Sequence, residues 1–156
     1  MLLRSGGSRR GKTISTLDIY KETLRAMLKG DTDRAAELGS SVSDASWSES
    51  GVLLTAVCAI LAEDRFDADD SPAAIKTFVD EMMRNYANAN PPLKPLMCEV
   101  VVRVSLGESE ILKGVDINEL SIHQMAFMNK VVQDAGLSAH QIDELLDDAT
   151  AMVSEL

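Results

Sequence analysis

Aromatic side chains are scarce in this chain of 156 residues: they make up 4% of it, against 46% hydrophobic residues overall. A core cannot be built mainly on rings, and the eight methionines supply pliable aliphatic filling in their place. Cysteine is nearly absent. Cys58 and Cys98 stand inside apolar runs without C-x-x-C spacing, which removes a disulfide framework and the common zinc patterns. No secretory apolar stretch of roughly 7 to 15 residues follows the N-terminal arginines, so the expected compartment is the reducing cytoplasm. Histidine occurs twice, at His123 and His140, and neither cysteine has one near it in sequence. With no G-x-S-x-G either, no nucleophile has a recognisable setting, and the expectation is a protein without catalysis.

Long hydrophobic runs are also missing. The longest, GVLLTAVCAILA from Gly51 to Ala62, spans about 18 Å as a helix against roughly 30 Å of bilayer hydrocarbon. It reads as a core helix, with no membrane partner. Beyond the N-terminus the chain is poor in positive charge: Arg4, Arg9, Arg10 and Lys12 lie in the first twelve residues and leave −14 on the remainder of a chain whose net charge is −10. From Val131 to Leu156 there are six acids and no Lys or Arg. Such a surface repels nucleic acid, so none is expected as a partner.

What is present is helical periodicity. Residues 1–14 read as a disordered basic arm, too poor in apolar groups to offset the entropy of ordering. The remainder, 15–156, reads as a single all-α domain, an irregular bundle of six or seven helices. Leu17, Tyr20, Leu24, Met27 and Leu28 form the first apolar stripe, closed by Gly30. The following LKGDTDRAAEL resembles the hairpin turn of tetratricopeptide arrays, but no copy recurs 34 residues on. Ser46 with Glu49 sets a capping box before a helix from Trp47 to Ala62. Ser71 as N-cap and Pro72 at the first position open a helix buried through Ile75, Phe78, Val79 and Met82.

Three of the four prolines crowd into NANPPLKPL, which predicts a hinge near 88–95. MCEVVVRVSL is β-branched, yet its apolar residues keep helical spacing and Glu99 stands four residues before Arg103, so a helix is expected. A helix over Asn118–Ala135 then stops at Gly136, and Ser138 with Gln141 caps the last helix.

Four constellations invite a functional reading. Residues 6–13, GGSRRGKT, satisfy G-x-x-x-x-G-K-[ST] through Gly6, Gly11, Lys12 and Thr13. A phosphate loop needs a buried strand to deliver it, and only Met1–Ser5 precede Gly6, so this weak match predicts no cofactor. Asp67, Asp69 and Ser71 alternate like calcium ligands, but Pro72 stands where such a loop needs glycine. His140, Asp143 and Glu144 share one face of the last helix and, joined by His123, make the candidate metal set. Trp47, in a serine-rich segment, and Phe127, at the border of a polar face, are the candidate interface anchors. Together these features predict a cytoplasmic interaction or regulatory protein whose partner is another protein or a second copy, a homodimer. A metal-dependent or phosphate-binding role is the alternative.

Overall fold

The computed structural model describes residues 16–40 and 47–155. The basic segment 1–14, with the phosphate-loop match at Gly6, Gly11, Lys12 and Thr13, lies outside the described residues, as do the cap expected at Ser46 and the side chain of Trp47. Among the described residues every regular element is a helix: α1 Thr16–Leu28, α2 Thr32–Ser40, α3 Trp47–Arg65, α4 Pro72–Asn85, α5 Pro95–Ser105, a 3-10 turn Ser109–Leu112, α6 Ile117–Ala135 and α7 Ala139–Ser154. The all-α expectation holds. The β-branched run at 100–104 is helical, because its 3.6-residue spacing puts Cys98, Val101 and Val102 together in the interior.

The chain divides into two compact units, one ending at Leu53 and one running Leu54–Leu156, so the boundary falls within α3. In the first, α1 buries Tyr20, Leu24 and Ala26. Gly30 takes a positive φ of 81°, which turns the chain so that the Asp31 N–H reaches the Ala26 carbonyl at 2.8 Å. The Asp31 carboxylate then caps α2 by accepting the Arg34 N–H at 3.0 Å.

In the second unit the helix ends are set by local chemistry. Ser71 caps α4 and accepts the Ala74 N–H, with Pro72 at its first position. Asp116 caps α6 by accepting from the amides of Asn118 and Glu119. Gly136, in the left-handed region at φ 62°, closes α6, and Ser138 with Gln141 forms the complete capping box of α7. The core draws on Val57, Leu61, Phe78, Met82, Phe127, Met128 and Leu146, all 5% exposed or less. Each such side chain contributes about 1.5–3 kcal/mol by leaving water.

Three phenylalanines form its centre. Phe78 meets Phe66 edge-on at 5.3 Å between centroids and Phe127 at 5.5 Å. The Arg65 guanidinium lies 5.2 Å from the Phe78 ring. The segment 86–94, where the sequence predicts a hinge, lies inside this unit, and its Lys94 N–H donates to His123 of α6.

Candidate functional site

α6 carries most of the chemistry-bearing side chains, and it buries them. His123, Gln124 and Lys130 are 3%, 2% and 3% exposed, although a helical wheel assigns the stripe of His123, Lys130 and Asp134 to solvent. Neighbours cover α6 on several sides and supply hydrogen-bond partners to each of these three side chains, which offsets part of the usual cost of burying them.

His123 is consumed twice. Its Nδ1 lies 2.7 Å from the Glu119 carbonyl oxygen, which can only accept, so Nδ1 carries the proton. Nε2 is then the acceptor, and the backbone N–H of Lys94 donates to it at 2.9 Å. The Lys94 ammonium pairs with the Glu119 carboxylate. These contacts fasten the proline-rich segment to the first turns of α6.

Gln124 donates from Nε2 to the Thr55 hydroxyl at 3.1 Å, and its backbone carbonyl accepts the Cys58 thiol at 3.6 Å. The Lys130 ammonium donates to Asn85 Oδ1 at 2.8 Å and forms ion pairs with Asp134 Oδ2 at 2.8 Å and Glu81 Oε1 at 3.3 Å. Its nitrogen also stands 5.4 Å from the Phe78 centroid. Through these contacts Lys130 ties α4 to α6.

Outside α6, Arg103 grips Glu108 through Nε at 3.1 Å and Nη2 at 2.8 Å and reaches Glu99 at 3.3 Å. The hydrogen bonds from Arg103 hold the Glu108 carboxyl below its usual range. Asp69 accepts the Ser71 N–H at 3.0 Å, and that bond, with one from the Ser71 side chain, lowers its pKa. Asp69 thus holds the N–H of Ser71, the residue that caps α4.

The structure separates the candidate metal ligands. His140, Asp143 and Glu144 lie on α7, with His140 Nε2 at 3.7 Å from Glu144 Oε1. His123 does not join them: both its nitrogens are engaged, and it sits twelve residues before the end of α6, about 18 Å along the axis from the turn that starts α7. Among the described residues no group of three or more His, Cys, Asp or Glu side chains is placed to hold a metal ion. Phe127 is likewise corrected. It is 0% exposed and packed on Phe78, so it belongs to the core and not to a surface.

Both thiols are fully buried. Burial pushes the Cys58 thiol far above its ordinary range and the Cys98 thiol up to about 11. Neither is a thiolate near neutral pH, so neither is an activated nucleophile. A raised acid pKa stabilises the fold below the unfolded thiol value of about 8.5 and loses that contribution as pH rises towards the folded value. Two results are therefore expected: no labelling of native protein by an aromatic disulfide reagent at pH 8 over minutes, and a falling urea midpoint between pH 8.5 and about 11. Rapid native labelling of either thiol would contradict this.

Among the described residues no helix is long and apolar enough to cross a membrane. Compared with known protein families, with curated proteins and with solved structures, the chain shows no match.

Proposed function

We propose that the chain is a non-catalytic helical protein of the cytoplasm that acts through protein–protein contact, including contact with a second copy of itself. One observation carries the reading. The groups with chemical potential, His123, Lys130 and the two thiols, are buried among internal partners or apolar neighbours, while large apolar side chains stand in water. Leu96 is 72% and Ile117 65% exposed, in the first turns of α5, which opens on Pro95, and of α6, which Asp116 caps. Rigid exposed apolar groups favour association, because burying them needs little further ordering.

The mass of the whole chain, measured by sedimentation between about 1 and 100 μM, tests this. A rise from monomer to dimer over that range is expected, whereas a concentration-independent monomer overturns self-association. Thermal melts with zinc, manganese, calcium and a chelator separate the metal-binding alternative. A ligand at a hundred times its dissociation constant adds about 2.7 kcal/mol, and no shift is expected at millimolar metal.

A further inference from the structure

We propose that His123 is a proton-operated latch on the segment 86–94: the neutral ring holds the segment against α6, and a proton taken up at Nε2 lets it go. The latch is independent of self-association. Two backbone groups of fixed character hold the ring. The Glu119 carbonyl can only accept and the Lys94 N–H can only donate, at 2.7 Å from Nδ1 and 2.9 Å from Nε2. Together they select one form of the side chain, the neutral ring with its hydrogen on Nδ1. An imidazolium is a donor at both nitrogens, so a second proton sets Nε2–H against the Lys94 N–H and leaves that bond without an acceptor. At 3% exposure the ring has little water to turn to, and the ring and the amide must part.

The segment so held has few other anchors. Of residues 87–94 Leu93 alone is buried. The Ala89 N–H is spent within the segment, on the Tyr86 carbonyl at 3.0 Å. Lys94 supplies the ties to α6, its N–H on His123 and its ammonium on Glu119. Charge acts in the same direction. The charged residues in contact with the ring are Lys94 and Glu119, whose side chains pair with each other. On α5 and α4, the helices packed on α6, Glu99 pairs with Arg103 and Glu81 with Lys130. Each of these carboxylates already has its cation, so a positive ring competes with the Lys94 ammonium for Glu119 and loosens the second tie as well. Imidazoles as a class change charge between about pH 5 and 8. The segment is therefore held towards the alkaline end of that range and released towards the acid end, which bares Leu93.

The experiment follows the full chain by NMR between about pH 5 and 8, reading the His123 ring carbons, the Lys94 amide and the amides of 87–90 and Leu93. As the ring takes up its proton, the Lys94 amide is expected to shift with the same midpoint and to lose about tenfold in hydrogen-exchange protection. The amides of 87–90 and Leu93 are expected to move with it. His123→Gln offers an amide oxygen in place of Nε2, an acceptor that does not titrate, and is expected to abolish the pH dependence at Lys94. His140→Gln, at a position 82% exposed, is expected to leave that dependence in place. A Lys94 amide that stays protected while His123 titrates overturns the latch. So does a ring that stays neutral until the whole chain unfolds, or a pH dependence at Lys94 that survives His123→Gln. Should His123→Gln fail to fold, the shared or separate midpoints in the unsubstituted chain decide.

Discussion

Truncating Phe78 to alanine is expected to lower the unfolding free energy by about 3–5 kcal/mol, read from urea denaturation at neutral pH. The size follows from position: Phe78 is 0% exposed and touches both other phenylalanines edge-on. Edge-to-face pairs add about 0.5–1.5 kcal/mol each beyond the area they bury. The Lys130 and Arg65 cations also face this ring, at 5.4 Å and 5.2 Å. Because a domain has about 5–15 kcal/mol in hand, this single change removes a large share of it. Phe78→Leu keeps most of the volume but loses the ring contacts, and about half the loss is expected. A cost below about 1 kcal/mol for Phe78→Ala would mean that the three rings do not form the centre of the core.

The second large effect belongs to Lys130. Lys130→Met keeps the apolar stem and deletes the ammonium, leaving Glu81, Asp134 and Asn85 without their shared donor. Breaking a deeply buried pair costs about 3–5 kcal/mol, but Glu81 and Asp134 are 38% and 43% exposed and recover part of their hydration. The expected loss is therefore about 1–2 kcal/mol for Lys130→Met and about 3 kcal/mol for Lys130→Ala, which also opens a cavity. Asp134→Asn alone is expected to cost less than either, since two oxygens remain for the ammonium. Coupling in a double-mutant cycle between Lys130→Met and Glu81→Gln checks that the contact spans α4 and α6. A neutral or stabilising Lys130→Met would show that the bridge carries no stability.

The helices were legible because their signals are local. Ser71 with Pro72, Gly136, and Ser138 with Gln141 all act within a few residues of themselves, and each marks a helix end in the structure. The valine-rich run of α5 was also legible, since periodicity outweighs the β preference of branched side chains once one face is buried. Burial of the polar side of α6 was not. A wheel divides a helix into one wet and one dry face, an assumption that fails when neighbours cover both. His123 lost its place in the metal set for this reason, and Phe127 its place at a surface. The donors and acceptors that allow this burial lie far away in sequence, Lys94 for His123, Thr55 for Gln124, Asn85 and Glu81 for Lys130. Only Asp134, four residues from Lys130, left a trace in the spacing. At the end of the acidic turn the cap was legible, since Ser71 accepts the Ala74 N–H, while Asp69 holds the N–H of Ser71 itself.

The row of His123, Gln124 and Lys130 along α6 also governs which arrangements of these helices can exist. An interior of leucine, valine and methionine tolerates slippage, because one greasy contact substitutes for another at little loss. A lysine that must find three oxygens tolerates none. Sliding α6 by a single turn, about 5.4 Å, would carry the ammonium away from Asn85 and Glu81, leave the imidazole facing no amide, and strand the glutamine from Thr55. Three separate penalties would fall on the same mistake, so the polar thread works as a key that admits one alignment of α3, α4 and α6.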